Sequence, residues 1–337
     1  MNLNREQLLR ELEIVLPGLS TREIMEQSSC FIFKAGKVIS YNDEIACSQK
    51  TSLTIEGAIQ ALPLISILRK MQDDMIEVEV QDGELLIKGK KRKAGIKMEE
   101  EILLPIESIE PAESWDKLHP DFTEAVSIVR DCAGKDETQF CITCIHIHPN
   151  WVETCDNYQL ARYTIKTGLT KAILVRRDSL NHIISLGMIK FSETKNWIHF
   201  KNSEGLILSC RRFTEEYPDL TKLLKVEGEN IVLPKGLKEA IERAEVFSVE
   251  NTEDNHILID IQKGKLKLKG VGTSGWFVEY KKIKYDGQPM SFFIAPQLLI
   301  KLTSHHNKCI ISKNSLMVDG GVFKYVTCLG IVKKKEK

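Results

Sequence analysis

Four features of this chain carry residue types suited to catalysis or ligand binding. GVGTSG, residues 270–275, matches the G-x-G-x-x-G pattern in which glycines let a dinucleotide pyrophosphate approach a helix N-terminus. The next ten residues, WFVEYKKIKY, are β-branched, aromatic and alternating, so these glycines are expected to join two strands rather than open a helix. No G-x-x-x-x-G-K-S/T run accompanies it, so a P-loop nucleotidase is not indicated. CITCIHIHP sets Cys141, Cys144, His146 and His148 close together like a metal or thiol centre. Read as one strand, alternation puts Cys141 on one face and Cys144, His146 and His148 on the other, and no second ligand pair follows. Cys155 with a histidine could form a nucleophile and base, but intracellular cysteines commonly serve as small apolar residues. His305-His306 falls at a helix end, where a cation offsets the helix dipole. The residues thus point to no catalytic centre, no metal and no cofactor.

The elements that position these residues repeat. Three units of roughly 110 residues share an order of elements but little letter identity. Each opens with an amphipathic helix, expected over Asn4 to Leu16, Asp121 to Cys132 and Lys235 to Phe247. In the first, Leu8, Leu9, Leu12, Val15 and Leu16 recur at spacings of three and four, and Pro17-Gly18 stops the run. In the third, Leu237, Ala240, Ile241 and Ala244 form the stripe. A pair of strand-like runs comes next: CFIFKAGKVISY, CITCIHIHPNWVET and HILIDIQKGKLKLKG. A strand-like approach then leads to a second helix, in GAIQALPLISILRKM, RRDSLNHIISLGMIKF and APQLLIKLTSHH. Each unit closes with further strands, MIEVEVQDGELLIKG, WIHFKNSEGLILSC and KCIISKNSLMV. Ile76, Val78 and Val80 alternate toward one face, and the DG and NSEG turns are hairpin signals. The fold class is therefore α+β with mostly antiparallel sheet.

At 337 residues the chain exceeds the roughly 250 to 300 at which single cores stop growing, so several domains are expected. The pattern resets in IESIEPAESWDKLHPD and in LLKVEGENIVLPKG, where Pro234 is placed in a first helical turn. The resulting domains are 1–114, 115–228 and 229–337, the last with a short, charged and solvated KKKEK tail. Forty-seven basic and 47 acidic residues cancel, which argues against non-specific coating of nucleic acid or anionic membrane. Nine cysteines, without a secretory segment or an 18-residue apolar run, point to a reducing cytoplasm and a disulfide-free protein.

WVETCDNYQLARYTI, RRFTEEYPDLTKLL, IVLPKGLKEAIERA and FKYVTCLG, in this order, resemble the bacterial DNA polymerase III beta subunit family, the sliding clamps. That family carries T-D-G-H-R-L-A, F-P-D-Y and Y-V-V-M-P-M-x-L runs at these places. The resemblance spans essentially the whole chain. It implies three repeated clamp domains per chain, two chains closed head to tail as a homodimeric ring, helices lining the hole, and antiparallel sheets outside. It implies a processivity factor without a catalytic site, which encircles double-stranded DNA independently of sequence and tethers a DNA polymerase and a clamp loader.

The same resemblance implies DNA-facing cations among Arg22, Arg69, Lys70, Arg130, Lys135, Arg176, Arg177, Lys235 and Lys238. Arg22 follows the first helix, where the family carries a DNA-contacting arginine. A partner-peptide cleft between the second and third domains is implied for Cys155, Asn157, Tyr158 and Leu160, for Pro218, Lys222 and Leu223, and for Val326, Cys328 and Leu329. Family-like choices for the subunit interface are HILIDIQ and an edge strand of unit one. Departures stand beside these matches. Asn157, Tyr158 and Gln159 replace Gly-His-Arg, Cys328-Leu329-Gly330 replaces Met-Pro-Met, and IVKKKEK runs past the usual end. Such a cleft is expected to take an altered peptide, as in a divergent replisome of a phage or mobile element. The alternatives are a clamp-like scaffold ring that does not encircle DNA, and a nucleotide-dependent enzyme built on residues 270–275.

Overall fold

A computed structural model describes residues 1–23, 25–248 and 255–331, with the backbone alone for 301–305 and 331. The His305 side chain and the KKKEK tail lie outside the described residues. One order of elements occurs three times along the chain: a helix, four strands, a second helix or helix pair, and three strands. The opening helices are α1 (Arg5–Glu13), α3 (Phe122–Val129) and α6 (Leu237–Ser248); the second ones are α2 (Ala61–Lys70), the pair α4 (Arg177–Asn181) and α5 (Ile183–Leu186), and α7 (Pro296–His305). Helix α1 starts where the Asn4 side chain accepts the Gln7 amide at 2.9 Å, and it buries Leu8 and Leu12. It ends earlier than its apolar pattern, because Pro17 draws Leu16–Gly18 into a 3-10 turn. Gly187, at φ 61°, ends α5 in the left-handed conformation.

Two of the expected placements change. Cys141 is not on a strand: it belongs to the 3-10 segment Glu137–Thr143, and the strand begins at Cys144. There His146 and His148 do share a face, half-buried, with rings 6.2 Å apart. Pro234 is not in the first turn of α6, which starts at Leu237; it follows the strand Glu229–Val232. The DG turn is as expected, with Asp82 at φ 52° and Gly83 at φ 76° joining Met75–Gln81 to Glu84–Gly89. Ile76 and Val78 are buried, whereas Val80, next to that turn, is 44% exposed.

The chain forms two compact bodies. The first comprises Met1–Arg130, Cys144–Asn150 and Ile165–Glu215. Its strands pair antiparallel from Asn2–Asn4 through Met75–Gln81, Glu84–Gly89, Arg92–Glu99, Gly57–Gln60, Cys30–Lys34 and Lys37–Tyr41 to Ile45–Lys50. The ladder continues across repeats, because Ile45–Lys50 pairs with Ile207–Phe213, which leads to Trp197–Asn202 and Met188–Glu193. Phe122 of α3 packs on Phe200 at 5.9 Å between centroids, and Tyr41 meets Trp197 at 6.1 Å in a separate cluster with Cys30, Ile32 and Leu104.

The second body comprises Asp131–Thr143, Trp151–Thr164 and Glu216–Lys337. Here Trp151–Cys155, Gln159–Thr164, Phe323–Cys328, Ser315–Asp319, Lys308–Ile311 and Glu229–Val232 form one ladder. A five-stranded sheet runs Trp276–Lys282, Lys265–Val271, Ile257–Gln262, Met290–Ile294 and Gly330–Ile331, and α6 packs on it. GVGTSG joins two strands as expected: Val271 pairs with Trp276, and the Gly272 amide donates to the Gly275 carbonyl at 2.9 Å. Gly270 is required by packing, since a Cβ there would lie 2.0 Å from the Ala244 carbonyl oxygen of α6. Gly270→Ala should therefore lower the unfolding free energy by about 1–3 kcal/mol or more; an unchanged urea midpoint would refute this account of the glycine.

His199, 2% exposed, bonds through Nδ1 with the Ser209 hydroxyl at 2.8 Å and through Nε2 with that of Thr194 at 3.3 Å. Burial pushes its pKa down to about 4. The unfolded chain takes up this proton near pH 6.5 and the folded one only near 4, so stability is intact above 6.5 and falls as the pH drops through that window. His199→Gln should flatten the slope of denaturation free energy between pH 6.5 and 4, where the histidine accounts for at most about 3 kcal/mol.

Candidate functional site

Polar chemistry in the second body concentrates at one hairpin tip. Asp156 turns the chain between Trp151–Cys155 and Gln159–Thr164, its Oδ1 accepting the amides of Tyr158 at 2.7 Å and Gln159 at 2.8 Å. The turn thrusts Asn157 and Tyr158 into solvent, leaving the tyrosine 69% exposed. The Tyr158 carbonyl accepts the Cys328 amide at 2.7 Å, which fastens the end of the strand Phe323–Cys328 to the tip. Beneath it, Gln159 donates to Asp156 Oδ2 at 2.9 Å and to the Asp131 carbonyl at 3.3 Å, and it accepts the Tyr325 hydroxyl.

Cross-strand register then builds two rows on one face of this ladder. Cys155, Leu160, Val326 and Met317 stand side by side and are buried. Leu220 and Leu224, one helical turn apart, close over them with Ile142, and Tyr217 packs against the same cluster. The Tyr217 hydroxyl donates to Cys155 Sγ at 3.4 Å. Burial pushes the Cys155 thiol up to about 11 and the Tyr217 hydroxyl well above its usual range, so the sulfur is a protonated packing atom and a poor nucleophile.

The neighbouring row is Glu153, Arg162, Lys324 and Asp319, two central cations each flanked by an acid. Arg162 Nε lies 2.6 Å from Glu153, which is 2% exposed; the Trp151 indole donates to the same carboxylate at 2.9 Å and stacks 4.5 Å from the guanidinium. Lys324 meets Asp319 at 3.6 Å. The result is an apolar floor bounded on one side by a self-neutralised charged row.

Of the ten cleft residues expected, Cys155, Leu160 and Val326 belong to the floor and Leu329 is also buried. Asn157, Tyr158, Pro218, Lys222, Leu223 and Cys328 are exposed, Leu223 at 57%. All ten lie in the second body. Sequence reasoning missed Tyr217, Leu220, Leu224 and Met317; the i, i+4 leucines after Pro218 were the available signal. It also missed the charged row, which only strand register reveals.

The expected DNA-facing cations fall into separate groups. In the first body, Arg22 is exposed beside a cleft of about 810 Å³ that Glu44, Asp178 and Ser179 also line. Arg176 reaches Glu44 at 3.3 Å, Arg177 reaches Asp178 at 2.9 Å, and Arg130 bonds the Asn181 amide oxygen, so these three converge on α4. Arg69 pairs with Glu13 of α1 at 2.7 Å next to an exposed Lys70. In the second body, Lys135 and Lys235 are exposed in loops and Lys238 faces Glu242 at 3.9 Å on α6. Among the described residues, no group of His, Cys, Asp and Glu could hold a metal ion.

Removing half of the buried pair leaves the other charge uncompensated, whereas removing both does not. Glu153→Ala should cost about 3–5 kcal/mol in urea unfolding, and Glu153→Met with Arg162→Met should recover most of it. Equal losses in the single and double variants would contradict this.

No family model matches the sequence, and no curated protein matches it. Solved structures do. A DNA polymerase sliding clamp of Pseudomonas aeruginosa aligns with a TM-score of 0.84 at 14% identity, covering 98% of this chain and 99% of that one. The DNA polymerase III beta chain of Streptococcus pneumoniae aligns at 0.84 and 16%, covering 99% of each. The beta subunit of Thermotoga maritima aligns at 0.83 and 15%, covering 98% of this chain and 99% of that one. Over nearly its whole length, then, the chain has the fold of the bacterial DNA polymerase III beta subunits, the sliding clamps.

Proposed function

We propose that this protein is a sliding clamp that confers processivity on a DNA polymerase and has no catalytic site of its own. The observation that carries the proposal is the clamp fold over nearly the entire chain, joined to a threefold order of helices and strands. In this reading the three repeats are domains 1–114, 115–228 and 229–337. Two chains close head to tail in the cytoplasm into a ring, helices inward and sheets outward. Closure removes strand edges that would otherwise invite aggregation. Duplex DNA passes through the hole and is held by topology, so its contacts are phosphate-directed and weak enough to slide. Arg22, Lys70, Lys135 and Lys235, exposed and with no ion pair among the described residues, are the strongest candidates for them.

In this reading Tyr158 and Leu223 take a linear segment of the polymerase, clamp loader or another replication protein. The exposed side chains of Tyr158 and Leu223, close in sequence to the cluster members Leu160 and Leu224, are suited to anchoring such a segment. Tyr158 narrows this site and no methionine stands in the strand end Thr327–Gly330, so the peptide differs from the family's usual one. That difference suits a divergent replisome, such as one of a phage or mobile element. A clamp-like scaffold that does not encircle DNA is the second reading. The exposed carboxylates of the helices favour it, Glu6, Glu124, Glu239 and Glu242 among them, since they weaken attraction to phosphate.

Negative-stain imaging with light scattering on the same sample should give a dimer-mass ring with an open centre; a compact monomer would remove the physical basis for encirclement. Charge reversal at Arg22, Lys70, Lys135 and Lys235 should abolish retention on closed circular DNA while the dimer mass stays unchanged. Full retention would favour the scaffold reading.

A further inference from the structure

The hairpin tip of the second body has a counterpart in the first. Asn42 Oδ1 accepts the amides of Glu44 at 3.2 Å and Ile45 at 2.9 Å, as Asp156 does for Tyr158 and Gln159. The Glu44 carbonyl accepts the Arg211 amide at 2.8 Å, as that of Tyr158 accepts Cys328. Register makes the match residue by residue. Tyr41, Ala46, Ser209 and His199 form the row that corresponds to Cys155, Leu160, Val326 and Met317. The next row is Ile39, Ser48, Ile207 and Lys201, where the second body has Glu153, Arg162, Lys324 and Asp319. Even the flanking segment corresponds: Leu104-Pro105-Ile106 with its 3-10 turn stands where Tyr217-Pro218-Asp219 does.

The side chains differ in kind. The row nearest the tip is polar here, ending in the hydroxyl of Ser209 and the neutral ring of His199. The next row carries the apolar side chains Ile39 and Ile207, which with Ile106, Ile109 and Trp115 line a groove of about 460 Å³. Beyond them stands a third row, Lys34, Lys37 and Lys50, directly opposite one another on three adjacent strands. Like charges so placed repel. Glu107 neutralises Lys34, but Lys37 and Lys50 have no ion pair among the described residues. Glu110 also lines the groove, with both carboxylate oxygens bonded by the backbone and side-chain amides of Asn196. An apolar groove with these carboxylates engaged and Lys37 and Lys50 unneutralised at its edge is complementary to one class of occupant.

We infer that this groove is a second docking site, which takes an extended peptide of a partner protein with apolar or aromatic anchors followed by an acidic flank. The anchors lie against Ile39, Ile207 and Trp115, and the carboxylates meet Lys37 and Lys50. One backbone frame thus serves two peptide classes, and the inference stands whether or not the chain encircles DNA.

The probe is a fluorescein-labelled synthetic peptide in which two aromatic residues precede three glutamates, titrated against the full chain by fluorescence polarisation. Lys37→Glu puts a carboxylate between two lysines, so it should raise or hold the melting temperature while weakening the peptide about tenfold or more. Leu223→Asp, at the other site, should leave the affinity within about twofold. Binding that survives Lys37→Glu, binding lost in Leu223→Asp, or no saturable binding to the unaltered chain would each overturn the inference.

Discussion

Backbone pairing that carries a sheet from one repeat into another underlies both grooves. Ile45–Lys50 pairs with Ile207–Phe213 in the first body, and Gln159–Thr164 pairs with Phe323–Cys328 in the second. A hairpin alone is marginal in water, and an isolated edge strand leaves backbone groups unsatisfied. Pairing across repeats answers both problems and also places side chains from distant sequence in one row. Each groove is a by-product of that register. Its floor is half hairpin and half final strand of the following repeat, and neither half is a surface by itself.

Much of the fold was legible in the sequence because local signals repeat. Apolar residues at helical spacing marked α1, α3 and α6, and DG and NSEG turns marked hairpins. The glycine run 270–275 was legible as a strand connection because an alternating aromatic stretch follows it. Where signals competed, the limits were local. The cysteine-rich stretch looked like one long strand, yet Glu137–Thr143 coils into a 3-10 segment before the strand starts at Cys144. Pro234 suits a helix start, but the strand pairing of Glu229–Val232 with Lys308–Ile311 claims the preceding residues.

The site was legible in outline and not in architecture. Tyr158 and Leu223 could be named from motif order, and both are exposed. The Glu153–Arg162–Lys324–Asp319 row could not, because its members come from four strands spread over most of two repeats. Nor could the lysine row beside the other groove, since Lys34, Lys37 and Lys50 look like ordinary surface charges until register sets them opposite one another. Residue type is local information, whereas a row is a property of the pairing.

The same pairing bears on how the chain folds as it is synthesised. The hairpin formed by Trp151–Cys155 and Gln159–Thr164 leaves the ribosome well before Phe323–Cys328, the strand that covers its edge. During that interval it is an open template for any other strand in the cell. Arg162 and Glu153 stand in the middle of this edge, and their charges, already matched within the hairpin, make it a poor partner for an apolar strand. The covering strand then sets Lys324 opposite Arg162, and the two cations are tolerated there because each has its own acid, Asp319 and Glu153.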